Sequence, residues 1–167
     1  AESSTRKAIE LNPNFAEAHS NLGIILFDLG KLKEAELSYR KAIELKPDYA
    51  ETHSNLGLIL KDLGKLQEAE LSLRKAIELK PDYAEAHSNL GIILFDLGKL
   101  KEAELSQRKA IELKPDYAET HSNRGLILKD LGKLQEADLS LRKAIELKPD
   151  YAEAPSKPGI ILSDLGQ

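Results

Sequence analysis

Apolar residues along this chain recur at the spacing of amphipathic α-helices, and the complete pattern returns every 34 residues. We number the positions 1 to 34 within each copy, starting at Ala16, Ala50, Ala84 and Ala118. In the first copy, one predicted helical stripe contains Ala18, Leu22, Ile25, Leu26 and Leu29. The second stripe contains Leu32, Ala35, Tyr39, Ala42, Ile43 and Leu45. The pattern therefore predicts two helices in each copy and an all-α fold.

Helix-ending signals separate the two segments of each copy. Glycine at position 15 (Gly30, Gly64, Gly98 and Gly132) fits the left-handed residue that commonly ends a helix. The second helix is predicted over Leu32–Leu45, because the residue that precedes a proline avoids helical geometry. Before each first helix, Asp48 with Glu51 and the equivalent pairs predict a capping box, in which the two side chains satisfy free backbone N–H groups.

Alternate copies of the pattern are almost identical. The two pairs of copies differ only at Tyr39/Gln107, Leu56/Arg124 and Glu70/Asp138. A period of this length is typical of an α-solenoid, in which each unit contacts mainly its neighbours. We expect a single solenoid that comprises a half repeat (1–15, a second helix), four repeats (16–49, 50–83, 84–117 and 118–151) and a half repeat (152–167, a first helix).

Composition narrows the possible functions. The chain carries 24 basic and 28 acidic residues, a net charge of −4, so it lacks the basic surface expected for a nucleic-acid partner. No apolar run approaches the roughly 18 residues of a membrane span. The chain contains no cysteine, and no Gly-rich phosphate loop or nucleophile elbow occurs in it. We expect a soluble protein without catalytic activity or a cofactor, and the cytoplasm is favoured although the sequence specifies no compartment.

The residues resemble the tetratricopeptide repeat, a 34-residue unit with the pattern W-x2-L-G-x2-Y, then A-x3-F, then P. The counterparts in the first repeat are His19, Leu22, Gly23, Leu26, Ala35, Tyr39 and Pro47. Histidine replaces the tryptophan of the family pattern. The resemblance implies antiparallel helix pairs stacked in a right-handed superhelix. It also implies that the first helices line a concave groove and that the second helices form the convex back.

Positions 2, 5, 6, 9, 12 and 13 of the first helix form the face that the resemblance assigns to the groove. Position 2 is glutamate (Glu17, Glu51, Glu85, Glu119 and Glu153), and position 13 is aspartate (Asp28, Asp62, Asp96, Asp130 and Asp164). Position 6 is asparagine (Asn21, Asn55, Asn89 and Asn123), and position 12 alternates between phenylalanine and lysine (Phe27, Lys61, Phe95 and Lys129). The sequence therefore predicts an acidic groove that is lined by amides.

The asparagines suggest how a ligand is held, because an amide both donates and accepts hydrogen bonds and can pair with a peptide backbone of any sequence. The tetratricopeptide domain of O-linked N-acetylglucosamine transferases is similar, with Ser-Asn at positions 5 and 6 and an asparagine ladder for extended peptides. By contrast, the carboxylate clamp of chaperone-binding co-chaperones needs lysine at position 5 and asparagine at position 9 of one repeat, asparagine at position 6 of the next, and lysine at position 2 with arginine at position 6 of the third. Here position 5 is serine, position 9 is isoleucine or leucine and position 2 is glutamate, so only the asparagine at position 6 matches. We therefore expect an extended ligand that is basic and apolar.

The histidines at position 4 (His19, His53, His87 and His121) recur once per repeat. Zinc requires its nitrogen ligands at about 2.0–2.1 Å, and neighbouring copies one helix diameter apart are too far from each other to share an ion. Each histidine is therefore expected to fill the slot between helices where the family places tryptophan. The Glu36–Arg40 pair and its copies are expected on a solvated outer face, with the acid four residues before the base.

The last copies depart from the pattern. Arg124 replaces a core leucine and must either extend to solvent or pair with a carboxylate, since a buried unpaired guanidinium is unfavourable. Pro155 and Pro158 restrict the last predicted helix to about Pro158–Leu165, and Lys157 replaces the ladder asparagine. Because the two half repeats complement each other, copies of the chain are expected to associate head to tail, with Ile161 and Leu165 contacting the N-terminal helix of the next copy.

Three functional interpretations follow. The first is a non-enzymatic protein-interaction scaffold that holds an extended peptide in its groove. The second is a structural or engineered array whose copies stack without a selected ligand, which the near-identity over 68 residues favours. The third is a substrate-docking segment of a larger enzyme.

Overall fold

The computed structural model describes residues 1–149, and the predictions for Glu153, Asp164 and the last predicted helix fall outside this range. Residues 1–149 form nine α-helices and no β-strand. The helices are α1 (Glu2–Leu11), α2 (Ala16–Asp28), α3 (Leu32–Leu45), α4 (Ala50–Asp62), α5 (Leu66–Leu79), α6 (Ala84–Asp96), α7 (Leu100–Leu113), α8 (Ala118–Asp130) and α9 (Leu134–Leu147). The predicted all-α fold and the two helices per repeat are confirmed.

The chain divides into two compact units, Ala1–Pro81 and Asp82–Gln167. In the first unit, α2 packs against α3 and α4 packs against α5, while α1 and α3 contact the first helix that follows each of them. In the second unit, α6 packs against α7 and α8 packs against α9. Each pair is antiparallel, because the short turn returns the chain alongside itself: Gly125 lies against Leu141, and Leu128 packs in one cluster with Ala137 and Leu141.

The turn within each helix pair depends on glycine. Gly30 has a φ of 78°, in the left-handed region that side chains other than glycine rarely adopt. The backbone N–H of Lys31 donates to the carbonyl of Leu26 at 2.8 Å, and that of Gly30 donates to Phe27 at 2.9 Å. These two bonds form a Schellman motif, which satisfies carbonyls at the end of the helix. The prediction that position 15 ends the first helix is confirmed.

The core lies between the paired helices. Ala18, Leu22 and Leu26 of α2 are buried, as predicted, and so are Ala35, Tyr39 and Ala42 of α3. Gly23 permits the close approach of the two helices, because an added Cβ would lie 2.8 Å from the Tyr39 ring. The prediction is wrong for Leu29, whose side chain is 56% exposed. Leu29 is the residue at the end of α2, where the chain turns away from the core.

The predicted capping boxes are not formed. In the described repeats, the residue before each first helix is Phe15, Tyr49, Tyr83 or Tyr117, and none of these helices has a side-chain capping bond. Asp48 lies one residue too far from Ala50 to occupy the cap position. The carboxylate of Glu51 instead accepts a hydrogen bond from the Tyr49 hydroxyl at 3.2 Å.

The Glu36–Arg40 pair forms, but its predicted location on a solvated face is wrong. Arg40 Nη2 lies 2.8 Å from Glu36 Oε1, and the Glu36 side chain is only 11% exposed. Lys65, which precedes α5, lies 3.2 Å from the same oxygen. Burial opposes ionisation of Glu36, but the hydrogen bonds from Arg40 and Lys65 outweigh it and lower the pKa of this carboxyl. Glu36 therefore links α3 to the next repeat rather than facing solvent.

Arg124 pairs with a carboxylate, one of the two outcomes predicted for it. Its Nε donates to Glu104 Oε1 at 3.0 Å, and its Nη1 donates to Ser140 Oγ at 3.2 Å. Glu104 is almost fully buried and also accepts bonds from Arg108. The guanidinium is therefore held between α7 and α9, the two second helices of the second unit.

Candidate functional site

The candidate site is the surface of the first helices that carries positions 2, 6, 9, 12 and 13, which we call the first-helix face. Spacings of three and four residues place these positions on one side of a helix. In the first unit this face belongs to α2 and α4, and in the second unit to α6 and α8; within each unit the two helices contact each other. Each unit therefore presents two copies of every row of side chains.

The acidic rows lie at the two ends of the first helices and are exposed. The glutamates are Glu17, Glu51, Glu85 and Glu119, and the aspartates are Asp28, Asp62, Asp96 and Asp130. None of these aspartates forms an ion pair or a hydrogen bond through its side chain with another described residue. Their charges are therefore available to a cationic ligand.

The glutamates are partly engaged by the turns between repeats. Glu119 accepts a hydrogen bond from the Tyr117 hydroxyl at 2.9 Å, as Glu51 does from Tyr49. The charge of Glu51, together with the hydrogen bond between Tyr49 and Glu51, raises the pKa of the Tyr49 phenol. The ammonium of Lys46 lies 5.0 Å from the centre of the Tyr49 ring, within the range of a cation–π contact. A glutamate, a tyrosine and a lysine thus meet at the start of a first helix.

The four asparagines lie between the acidic rows. Asn21 is exposed, and Asn55, Asn89 and Asn123 are half-buried. Within residues 1–149, none of their side-chain amides makes a hydrogen bond to the protein, and the Nδ2 atom of Asn123 is buried without a partner. Since buried polar groups are normally paired, these amides have hydrogen-bonding capacity that the fold does not use.

Position 12 lies at the edge of the first-helix face. Phe27 and Phe95 are half-buried, as are Lys61 and Lys129, which occupy the same position in the alternate repeats. Each unit therefore presents one aromatic ring and one ammonium group at this edge.

The prediction that position 5 lies on this face is wrong, because its serines are enclosed in the fold. Ser20, Ser54, Ser88 and Ser122 are all buried. The Ser88 hydroxyl donates to Gln107 Oε1 at 3.0 Å, and Gln107 Nε2 donates to the Ser88 carbonyl at 2.9 Å. Gln107 lies in α7, at the repeat position that Tyr39 occupies in α3. From there its amide reaches Ser88 of α6 across the core. The sequence showed the substitution but gave no sign of this partner.

The histidines connect each first helix to the preceding turn. The Nε2–H of His53 donates to the Pro47 carbonyl at 2.7 Å, and that of His121 donates to Pro115 at 2.8 Å. Both imidazoles are buried, in agreement with a packing role in the slot between helices. The described part of the chain contains no group of three or more potential metal ligands. None of its helices is long and apolar enough to cross a membrane.

Models of one family of repeats together match residues 5–151 of the chain. A model described as "TPR repeat" matches residues 23–64, 57–98 and 91–132, and two models described as "Tetratricopeptide repeat" match residues 5–36 and 118–151. The chain has no significant sequence match among curated proteins.

Solved structures of similar fold include MamA, with a TM-score of 0.81 and 28% identity over 91% of this chain and 89% of that chain. YrrB, whose structure is described as a TPR protein with an unusual peptide-binding site, has a TM-score of 0.80 and 26% identity over 99% of this chain and 86% of its own. The first TPR domain of Spaghetti (RPAP3), bound to the HSP90 peptide SRMEEVD, has a TM-score of 0.69 and 28% identity, over 70% of this chain and 93% of that chain.

Proposed function

Because the chain belongs to the tetratricopeptide repeat family, whose repeats serve as protein-interaction modules, we propose that it is a non-catalytic scaffold that binds an extended peptide on its first-helix face. The observation that carries this proposal is the set of asparagine amides that have no hydrogen-bond partner within the described residues. An extended peptide presents a backbone donor and acceptor at every residue, so each amide can form a bidentate pair with it.

The charge of the face determines which peptides fit. The exposed glutamates and aspartates flank the asparagines in both units, so the ligand carries lysine or arginine opposite the acidic rows. Phe27 in the first unit and Phe95 in the second offer an apolar contact at the same face. The peptide SRMEEVD bound by the RPAP3 domain contains three acidic residues. The first-helix face has glutamate rather than a cation at position 2, so we expect this face to reject that peptide.

The test replaces the asparagines within one unit. Asn21→Ala with Asn55→Ala, and separately Asn89→Ala with Asn123→Ala, should each weaken binding of lysine-containing extended peptides by about tenfold, because each lost amide removes hydrogen bonds of about 0.5–1.5 kcal/mol. Peptides of different sequence should be affected alike, since the contacts are to the backbone. Isothermal titration calorimetry measures the affinity. Affinity should also fall as salt rises, because exposed charges are screened beyond about 10 Å at 0.1 M.

A matched control is available on the second helices. Gln67, an exposed amide of α5 that lies outside the first-helix face, can be replaced by alanine with no expected effect on affinity. If the asparagine variants bind as the Gln67→Ala variant does, the ladder is wrong. If no lysine-containing peptide binds at all, the alternative of an array without a selected ligand is favoured. A catalytic domain in the parent protein would favour the substrate-docking alternative.

A further inference from the structure

A concave surface lies away from the first-helix face. It is an open cleft of about 440 Å³ in the first unit, between the second helices α3 and α5. Its lining includes Arg40 and Ile43 of α3, Leu56 of α4, and Leu71, Ser72 and Lys75 of α5. We call it the second-helix cleft. Its volume lies within the range of about 300–1,000 Å³ that is usual for ligand pockets.

The cleft exists because the second helices diverge. The backbones of α2 and α4 contact each other, and α4 contacts both α3 and α5, whereas α3 and α5 do not come within contact distance of each other. Two ion pairs bridge this gap, Arg40 to Glu68 at 2.9 Å and Lys65 to Glu36 at 3.2 Å. Side chains of α4 therefore form the floor, and the two second helices form the walls.

The floor and one wall of the cleft are apolar. Leu56 on the floor is only 4% exposed, and the His53 imidazole beside it is turned to the backbone carbonyl of Pro47. On the wall, Leu71 is 69% exposed although it borders this apolar space. A bulky apolar side chain placed here would cover Leu71 and contact Leu56, which removes apolar surface from water.

The second unit shows that the corresponding space accommodates a side chain. Arg124 takes the place of Leu56 there, and its guanidinium bonds to Glu104 and Ser140. These residues are the repeat equivalents of Glu36 and Ser72, one on each second helix. The two units thus differ in one respect at this location: a leucine leaves the space open in the first unit, and an arginine enters it in the second.

The rim of the cleft carries a positive charge that is free to change its carboxylate partner. Arg40 and Lys75 line the cleft, with Glu44 as the acid. Arg40 is already held by Glu36 and Glu68 through short ion pairs. Lys75 has only Glu78 as a partner, at 3.4 Å, and both side chains are well exposed. Such a pair stabilises the protein little, so a ligand carboxylate can replace Glu78 beside Lys75.

From these observations we propose that the second-helix cleft docks a segment of a partner protein that presents a bulky apolar side chain next to a carboxylate. This ligand differs in charge from the basic peptide proposed for the first-helix face, and it contacts different residues, mainly those of the second helices α3 and α5. The site is independent of the proposed function, since no residue of the first-helix face lines it.

The experiment uses the whole chain and two blocked synthetic peptides, one with leucine flanked by aspartates and one with leucine flanked by lysines. Calorimetry should show binding of the aspartate peptide. Leu56→Arg should remove one bound peptide per chain, with affinity at that cleft lowered about tenfold or more, because a guanidinium then occupies the apolar floor. Arg124→Leu should add one bound peptide per chain with similar affinity. Each substitution places at one repeat the residue that its near-identical copy already carries, with equivalent partners present, so both variants should fold.

Four further measurements distinguish the outcomes. The proposal is overturned if Leu56→Arg leaves both the affinity and the number of bound aspartate peptides unchanged, or if the lysine peptide competes equally for these sites. Lys75→Glu, at an exposed position, should reverse the preference between the two peptides. The Asn21→Ala, Asn55→Ala double variant should bind the aspartate peptide with unchanged affinity. The proposal for the asparagine ladder and the proposal for the second-helix cleft can therefore fail independently. If Leu56→Arg instead abolishes a concentration-dependent dimer seen by sedimentation, the occupant is a second copy of the chain and the proposed partner is wrong.

Discussion

Tyr39 and Gln107 occupy the same position in two repeats, and both side chains are buried. Gln107 satisfies its amide through both hydrogen bonds to Ser88. Tyr39 has no such charged or amide partner, and its burial, with a smaller contribution from the charge of Asp28, raises the pKa of the phenol well above its usual value of 10.0. We therefore expect this location in the fold to respond to alkaline pH in the first unit, where the residue is a phenol, and not in the second, where it is an amide.

We predict that the free energy of unfolding falls as the pH rises above about 10 because of Tyr39. In this range the unfolded chain releases the phenolic proton, whereas the folded chain retains it, so the unfolded state binds fewer protons and stability declines with pH. The Tyr39→Gln variant should lose part of this decline. Urea unfolding at a series of pH values between neutral and alkaline measures the difference.

The control for this prediction is the reverse exchange. Gln107→Tyr should increase the alkaline decline, because it places a phenol in the equivalent core position of the second unit. The remaining tyrosines are common to all the proteins compared. Equal pH dependence in the wild type and in Tyr39→Gln would show that burial of this phenol does not govern alkaline stability.

The ends of the helices were well predicted from sequence wherever a single residue type determines the backbone. Gly30, Gly64, Gly98 and Gly132 all have a positive φ, and the second helices end before Lys-Pro as expected. The capping boxes were wrong, because a shift of one residue in the start of a helix removes Asp48 from the cap position. Sequence spacing does not resolve a shift of that size.

We predict that Gly30→Ala lowers the free energy of unfolding by about 1–2 kcal/mol, the energy required to hold an L-residue in the left-handed region. No atom lies within 4 Å of an added Cβ, so the effect comes from the backbone alone. Gly30→Asn should be less destabilising, since asparagine tolerates this conformation. Urea denaturation measures both. A Gly30→Ala protein as stable as the wild type would contradict the role of this glycine.

Burial between neighbouring repeats was harder to predict than burial within one helix. The apolar period identifies Leu22, Leu26 and Ala35 as core, because they face the partner helix of the same repeat. It does not reveal that Glu36 and Glu104 are enclosed, because the residues that enclose them come from the next helix pair. In the same way, the rows of the first-helix face follow from helical periodicity, but the burial of the position 5 serines depends on the paired helix.

At the scale of the whole molecule, we predict that copies of the chain associate weakly head to tail. In α1, the side chains of Ala8 and Ile9 are partly exposed and Leu11 is 80% exposed. The expected contact is with Ile161 and Leu165, which lie outside the described residues. Sedimentation at increasing concentration should show self-association, and Leu11→Lys should reduce it.

The control for self-association is Leu37→Lys, which makes the same chemical change at an exposed position of α3. This variant should associate as the wild type does. A monomer at every concentration, or an equal response to both substitutions, would show that the α1 surface does not mediate contact between copies.

The hydrogen bonds that Arg124 and Gln107 form between helices join residues that are close together in the sequence, and this has a consequence for the gene. Arg124 bonds to residues 20 and 16 positions away, and Gln107 bonds to a residue 19 positions away. Each bond spans less than one repeat, and equivalent residues recur at the same repeat positions. If residues 50–117 were removed, Glu36 would therefore take the place of Glu104 as the carboxylate partner of Arg124. Recombination between the near-identical coding segments can thus change the length of this protein in blocks of 68 residues while Arg124 keeps equivalent partners, although this particular deletion would remove Gln107 together with Ser88.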